Sequence, residues 1–292
     1  MMTTSSKTRL LALGLFLFLA LQGFTEDLSA FAAYLLRSED YFRAVTVYKE
    51  LGFFASDPQS LSRARIGEGL AYLLSGKSDL ALEPLSAEAQ NDPEGTARLL
   101  MGLCYLRQRN LSQAESVWGQ EALPRQSPEA ARQNFRALFL MSLDRTATAR
   151  DILASIPPGT LWDDAVVQGK LVVEQLETRP RFSPLVAGAA SLLIPGLGQI
   201  TTGHYVDGAQ AFATVGLLGA ATYGVYLYDS KYSSSYLYTG IGLVITASFH
   251  LANIVGAAKT AGYANQAATD RILAPWEKEL WSHLVSEVLG PP

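Results

Sequence analysis

The sequence is poor in the residues from which most catalytic and metal sites are built. It has one cysteine, Cys104, and three histidines among 292 residues. A single cysteine excludes an internal disulfide, and Cys104 lies in an apolar helical stretch, where a buried structural role is expected. His204, His250 and His283 do not stand at zinc-ligand spacing from Cys, Asp or Glu. Nucleophile-elbow, metalloprotease and phosphate-loop motifs are also missing. We therefore expect no enzyme activity, no metal and no cofactor.

Blocks of basic charge are missing as well. The formal net charge is −4, which gives no support for binding to nucleic-acid phosphates. The charges are unevenly distributed, because between Phe182 and Lys259 the only charged residues are Asp207, Asp229, Lys231 and Lys259 itself. A charged half followed by a nearly charge-free half predicts two domains that lie in two different solvents.

The N-terminal segment has the pattern of a secretory signal. Lys7 and Arg9 precede the twelve apolar residues 10–21, which are too few to span a bilayer. We predict a signal peptide over residues 1–25 and leave open whether it is cleaved. No cysteine follows the apolar core, so a lipoprotein anchor is not expected. Export of this kind predicts that the next domain lies in the periplasm of a bacterial envelope.

A repeat of 33 to 37 residues runs through the charged half. Four segments have a small residue, a large apolar residue, an alanine and a second large apolar residue at offsets 0, 3, 12 and 16. The four sets are Ala32, Leu35, Ala44 and Tyr48; Gly69, Tyr72, Ala81 and Leu85; Gly102, Tyr105, Ala114 and Trp118; and Ala137, Leu140, Ala149 and Leu153. Small residues let two helices approach, and large ones fill the space between them. The pattern therefore predicts stacked helix hairpins.

At these offsets the chain resembles the tetratricopeptide-repeat family over about residues 28–157. The resemblance implies a helix-hairpin solenoid, over residues 26–178 here, that holds a partner protein in its concave face. Transferred by position, that face includes Arg37, Arg63, Leu70, Leu73, Leu103, Arg107 and Asn134. Two alternatives stay open. In the first, the leucines are core residues and the arginines form a solvated rim. In the second, the whole region is an ordinary helical bundle in which the alanines recur by chance.

The charge-poor half predicts a membrane domain over residues 183–266. Three consecutive stretches of 25, 21 and 27 residues carry no formal charge, and each is long enough for a helix that crosses a hydrocarbon layer about 30 Å thick. Small residues within them favour helix contacts in lipid, and tyrosines at their ends suit the headgroup region. We predict about three transmembrane spans, with re-entry of the first as the alternative to crossing.

The first of these stretches contains a proline and several glycines that would break a helix. The motif residues are Pro195, Gly196, Gly198, Gln199, Gly203, Asp207 and Gly208. They are similar to the P-G-x-G-Q signature of the two-transmembrane-helix domain family of bacteria. The positions similar to the end of its longer members are Asn253, Gly256, Ala257, Ala258, Ala261 and Asn265. The resemblance implies a helical membrane domain and little chemistry. We also expect Asp207 to cap the helix that follows it.

His250 is the ionisable residue of most interest in these stretches, because it lies mid-span with Asn253 one turn away. One interpretation is structural, with His250 bonded across to Gln210 or to a hydroxyl group. The other is a polar path for a transported substrate, lined by His250, Asn253, Gln199 and Gln210. Beyond the spans, residues 267–292 have apolar residues at helical spacing and predict an amphipathic tail helix against lipid or the repeats.

Together these patterns predict an all-α protein in which a tetratricopeptide-like solenoid precedes a bundle of about three transmembrane helices. The expected function is a membrane-anchored periplasmic scaffold that recruits or organises a partner protein in the bacterial envelope. Its partners would be that protein and the lipid of the inner membrane, with no nucleic acid. A small membrane transporter or transport accessory is the alternative function.

Overall fold

A computed structural model describes residues 28–90, 92–119 and 126–289, and every regular element in these ranges is an α-helix. This confirms the all-α fold class. The signal peptide predicted for residues 1–25 lies outside the described residues. The helices are α1 (Leu28–Arg37), α2 (Tyr41–Phe54), α3 (Pro58–Leu74), α4 (Ser78–Ala89), α5 (Thr96–Arg107), α6 (Leu111–Trp118), α7 (Gln126–Ser142), α8 (Thr146–Ser155), α9 (Asp163–Thr178), α10 (Pro184–Leu193), α11 (Leu197–Thr201), α12 (Tyr205–Tyr232) and α13 (Leu237–Leu289).

The chain divides into two compact units. Unit 1 consists of Met1–Val173 together with Trp276–Pro292, and unit 2 is Glu174–Pro275. Helix α13 belongs to both units and has Pro275 inside it. It runs without a break through residue 267, where the tail helix was predicted to begin. The end of α13 is therefore part of the same unit as α1 to α8.

Unit 1 begins with four hairpins that share one turn geometry. Each turn has one residue with φ between 61° and 78°, namely Glu39, Gly76, Arg109 and Asp144. These residues repeat at the spacing of the four repeat alanines, which are fully buried. The next residue in each turn donates its backbone N–H to a carbonyl five positions earlier at 2.9 Å: Asp40 to Leu35, Lys77 to Tyr72, Asn110 to Tyr105 and Arg145 to Leu140. Such bonds satisfy carbonyl groups at a helix end.

In the second and third hairpins, a glycine of the first helix receives a large side chain of the second. A Cβ on Gly69 would lie 2.5 Å from Cγ of Leu85, and a Cβ on Gly102 would overlap the indole of Trp118. That indole donates its N–H to the carbonyl oxygen of Leu99 at 3.3 Å. Offsets 0 and 16 of the repeat are thus the two sides of one contact. Helices α3, α5 and α7 pack side by side.

Unit 2 corrects the number of spans. Among the described residues, two helices, α12 and α13, are long and apolar enough to cross a membrane, so the prediction of about three spans over residues 183–266 is wrong. The first stretch is divided into α10, with ten residues, and α11, with five. Ten helical residues are about 15 Å long, half of the hydrocarbon thickness. The break follows from Pro195, which has no N–H for a helix, and from Gly196, whose φ of +86° disfavours other residues.

Helices α10 and α11 form a hairpin against α13. Before α10, the Phe182 N–H donates to the Asn265 side-chain oxygen at 2.9 Å, and the Asn265 amide donates back to the Phe182 carbonyl at 2.8 Å. At the end of α10, the Leu192 carbonyl lies 3.1 Å from Nε2 of His250, which precedes Asn265 by fifteen residues in α13. After α11, the chain lies beside a later part of α13, where the Thr202 hydroxyl donates to the Thr260 hydroxyl at 3.2 Å. The stretch therefore runs along α13 towards His250 and then turns back.

Helix α12 then runs antiparallel to α13. The Thr222 and Thr246 hydroxyl oxygens are 3.0 Å apart. Further along, the buried carboxylate of Asp229 accepts the backbone N–H of Thr239 at 3.0 Å and its hydroxyl at 2.8 Å. These bonds satisfy a donor in the first turn of α13 and close the tip of the α12–α13 hairpin.

Candidate functional site

Three buried polar side chains join the α10–α11 break to α13, and we call Ser191, Gln199 and Asn253 the Gln199 cluster. They are 0%, 5% and 9% exposed. The Ser191 hydroxyl donates to Oε1 of Gln199 at 2.9 Å and accepts the backbone N–H of Gly198 at 2.9 Å. Nε2 of Gln199 donates to Oδ1 of Asn253 at 2.8 Å and to its carbonyl at 3.2 Å. The Gln199 amide therefore has partners for its oxygen and for both of its N–H groups.

The motif glycines place backbones in direct contact around this cluster. A Cβ on Gly198 would overlap the carbonyl of Ala187 in α10, and one on Gly196 would overlap the carbonyl of Gly208 in α12. Gly203 differs, because a Cβ there meets open space but its φ is +87°. Seven predicted motif positions thus lie around one helix break, and most of them act through their backbone and small size.

The motif residue Asp207 fulfils its predicted role only in part, and the nearby Gln210 does not fulfil its own. Asp207 is exposed in the first turn of α12, where its charge favours the helix dipole, but the N-cap residue is His204. The side chain of His204 makes no capping bond. Gln210 is also exposed and does not join the Gln199 cluster.

His250 lies beside the cluster and contacts the break through its ring. A carbonyl oxygen only accepts hydrogen bonds, so Nε2 of His250 carries the proton donated to Leu192. The other ring nitrogen, Nδ1, is buried and has no hydrogen-bond partner within the described residues. Of the four residues of the predicted polar path, the structure brings together Gln199 and Asn253, with His250 adjacent.

The predicted partner face is largely interior. Leu70, Leu73, Leu103 and Asn134 are at most 1% exposed, so they belong to the core, as in the alternative interpretation. Arg37 and Arg63 are exposed. Arg107 donates to the Leu73 carbonyl at 2.9 Å and lies 4.5 Å from the ring centroid of Trp281, a cation–π distance.

The end of α13 covers the part of unit 1 next to Arg107. We call residues 276–289 the tail segment. Its Trp276, Leu280 and Leu284 are at most 2% exposed. The Trp276 indole donates to the Ala165 carbonyl at 2.7 Å, and its ring fills the space above Gly169, where a Cβ would lie 2.5 Å away.

Aromatic contacts complete this interface. The ring centroid of Trp281 is 4.7 Å from that of Phe135. The Trp162 indole donates to Oε2 of Glu287 at 2.7 Å, and its ring is 5.6 Å from the ring of His283. The tail segment therefore docks through both apolar side chains and directed hydrogen bonds.

An open cavity of about 780 Å³ lies where the tail segment ends, and we call it the Arg63 cavity. Its wall includes Tyr48, Gln59, Ser62, Arg63 and Ile66 from the hairpins, and Leu289 from the tail segment. The neighbouring Arg65 is paired with Glu88 at 3.6 Å. Asp92 is held by the backbone N–H groups of Gly95 at 2.8 Å and Thr96 at 3.1 Å. A volume of this size is typical of ligand and peptide sites.

Burial raises the pKa of four ionisable groups of unit 1, Tyr41, Tyr48, Glu68 and Cys104, and the shifts of Tyr48 and Cys104 are large. Burial raises the pKa of the Cys104 thiol to about 12 and the pKa of Tyr48 to about 12. Both groups are therefore neutral at physiological pH, and Cys104 is a structural residue. Within the described residues, no group of three or more His, Cys, Asp or Glu side chains is arranged to hold a metal ion.

No protein-family model matches the sequence, and no curated protein or solved structure is significantly similar to it.

Proposed function

We propose that the protein is a membrane-anchored scaffold that recruits or organises a partner protein in the bacterial envelope through unit 1. The observation that carries the proposal is the Arg63 cavity, which is open and lined by residues of successive hairpins. The polar side chains of the Gln199 cluster, in contrast, are bonded to one another. The contrast favours binding in unit 1 and anchoring by unit 2.

The apolar surface of unit 2 supports anchoring in lipid. In the most apolar windows of α12 and α13, only 0% and 11% of the residues are buried within the protein. Exposing such surface to water is unfavourable by roughly 25 cal/mol per Å². The rings of Tyr223, Tyr226 and Tyr236 stack at 6.1 and 6.0 Å near the hairpin tip, where an interfacial aromatic belt is expected.

Two membrane crossings also agree with the two chain segments from which unit 1 is formed. The chain before α9 and the tail segment pack into this single unit, so they must lie on the same side of the membrane. Only an even number of crossings between them allows this. With the signal-like N-terminus, whose basic residues are Lys7 and Arg9, our proposal is an inner-membrane protein with unit 1 in the periplasm.

Site-specific cross-linking in living cells tests the proposal. A photo-reactive amino acid at Ser62 should cross-link to one discrete protein, since Ser62 lines the Arg63 cavity. Arg63→Glu should reduce this product at least fivefold, whereas Lys77→Glu, an equal charge change on an exposed turn, should not. Equal yields in the two variants would contradict recognition in the cavity.

One observation favours the transport alternative. Nδ1 of His250 is a buried ring nitrogen without a hydrogen-bond partner within the described residues, and an ionisable group in a membrane span is a candidate for binding a substrate or transferring a proton. In that case His250→Ala would leave the protein abundant in membranes and abolish its cellular function. Full function with His250→Ala would remove this alternative.

A further inference from the structure

We propose that the tail segment is a built-in ligand of unit 1, which exchanges with an amphipathic helix of the partner protein. This inference rests on the proposed function and names the class of partner. It also gives the covered face next to Arg107 a binding role in addition to the open Arg63 cavity.

The tail segment has the pattern of a helix bound in a groove. Trp276, Leu280, Trp281 and Leu284 stand at offsets 0, 4, 5 and 8, the spacing by which an amphipathic helix presents one apolar face. Two of these anchors are tryptophans, and one of them is covered by the Arg107 guanidinium. Trp and Arg are the residues that dominate binding energy at protein interfaces.

Directed polar contacts fix the orientation of this helix. The Trp276 indole is bonded to the Ala165 carbonyl at one end, and Glu287 accepts from Trp162 at the other. A replacement helix must therefore supply an aromatic N–H donor at its start and a carboxylate about eleven residues later.

The binding surface is longer than the tail segment. The Arg63 cavity begins at Glu287, Val288 and Leu289 and extends along the hairpins towards Arg63. A helix with the same anchors and a further segment for this cavity would make contacts that the tail segment does not make. Those added contacts are what a partner needs in order to displace it.

The covalent link makes the tail segment a strong competitor. The tail segment is continuous with the rest of helix α13, so its docking is intramolecular, and a free peptide with the same anchors should bind the intact protein poorly. The partner is therefore a helix that carries the tryptophan–leucine pattern and an acidic residue, and that continues beyond the position equivalent to Leu289.

A peptide-binding measurement on the full-length protein tests the exchange. The probe is a fluorescent peptide with the sequence of residues 272–289, and the protein carries Trp276→Ala to loosen the tail segment. We expect this variant to bind the probe at least tenfold more tightly than the unaltered protein. Ser286→Ala, at an exposed position of the tail segment, should leave the affinity unchanged. A probe with alanine at both tryptophan positions should not bind.

Two results would overturn the proposal. The first is equal affinity of the probe for Trp276→Ala and for the unaltered protein, with helix content retained by circular dichroism. The second comes from hydrogen exchange on the unaltered protein and needs no folded variant. A tail segment that exchanges only as slowly as α5 would open only with the whole unit and could not be displaced. Neither measurement involves the envelope partner, so a negative result in either one does not affect the outcome of the Ser62 cross-linking test.

Discussion

At the scale of single residues, the glycines of this chain have roles that their local sequence does not distinguish. Gly198 lies against the backbone of α10, where a Cβ would overlap the Ala187 carbonyl. Gly216 lies in the middle of α12, and a Cβ there would meet nothing within 4 Å. Both occur in apolar helical sequence, and only the packing of the α10–α11 hairpin makes Gly198 obligatory.

The pair gives a direct test of that packing. Gly198→Ala should destabilise unit 2 by about 1–3 kcal/mol or more, because the backbone at Ala187 has to move. Gly216→Ala should be neutral or stabilising by up to about 1 kcal/mol, since alanine is the better helix former. Thermal unfolding of both full-length variants in detergent, followed by light scattering, measures the difference. Equal melting temperatures would argue against the close approach of α10 and α11.

The hairpin turns offer a second matched pair. Glu39 has φ of 63° and Gly76 has φ of 78° at equivalent positions, and a left-handed conformation costs a non-glycine residue roughly 1 kcal/mol. Glu39→Gly should therefore stabilise unit 1 by about 0.5–1 kcal/mol, and Gly76→Ala should destabilise it by a similar amount. Chemical denaturation followed by circular dichroism provides the values. We expect the free energy of unfolding to rise for Glu39→Gly and to fall for Gly76→Ala. Changes of the same sign would contradict the role of the left-handed turn residue.

Cys104 should be unreactive in the folded protein. Its side chain is fully buried, and burial raises the pKa of the thiol to about 12, so the nucleophilic thiolate is scarce near neutral pH. Alkylation by iodoacetamide at pH 8 should proceed at least a hundredfold more slowly in the native protein than in denaturant, as measured by mass spectrometry. Rapid labelling under native conditions would indicate that α5 is not buried in this way.

At the scale of helices, the Gln199 cluster fastens the α10–α11 hairpin to α13. Gln199→Leu would leave Ser191 and Asn253 buried without their main partners, and each unsatisfied group costs about 1–3 kcal/mol. Gln210→Leu replaces the same side chain at an exposed position of α12 and should change stability by less than about 0.5 kcal/mol. The melting temperatures of the two variants in detergent should therefore differ clearly. Similar temperatures would mean that the cluster does not hold the hairpin.

The contacts within the second and third hairpins could be predicted from sequence, whereas the course of the first apolar stretch could not. Gly69 and Leu85, or Gly102 and Trp118, contact each other directly, so the offsets in the sequence record a physical contact. The uncharged stretch before Asp207 has the length of a span, but Pro195 and Gly196 divide it. Composition measures only the length of such a stretch, whereas the packing of α10 and α11 against α13 depends on the long-range contacts of Gln199 with Asn253.

The partner face was predicted incompletely for a similar reason. Positions such as Leu70 and Leu103 were transferred from a family whose first helices line an open groove, and here they are buried. The tail segment covers the neighbouring surface at Arg107. Its apolar periodicity indicated an amphipathic helix, but periodicity does not identify the surface on which a helix docks. The contact between Trp276 and Ala165 joins residues 111 positions apart, beyond the reach of any local pattern.

At the scale of the whole molecule, the order of the elements along the chain constrains the number of membrane crossings that we propose. Unit 1 is completed only by residues that follow α12 and most of α13. A chain that crossed the membrane an odd number of times between α9 and the tail segment could not assemble this unit. In the proposed arrangement, α12 and α13 supply two crossings and the α10–α11 hairpin adds none, so the number stays even.

This topology predicts which surface positions face the same compartment. In a full-length chain with Cys104→Ala, single cysteines can be introduced at Ser112 in α6, Ser234 at the hairpin tip and Ser282 in the tail segment, all exposed positions. A membrane-impermeant maleimide applied to spheroplasts should label Ser112→Cys and Ser282→Cys alike. Ser234→Cys should be labelled only after permeabilisation, because it follows a single crossing. Permeabilised samples control for reactivity at each site. Labelling of Ser112→Cys and Ser282→Cys from opposite sides would require an odd number of crossings and would restore the three-span arrangement.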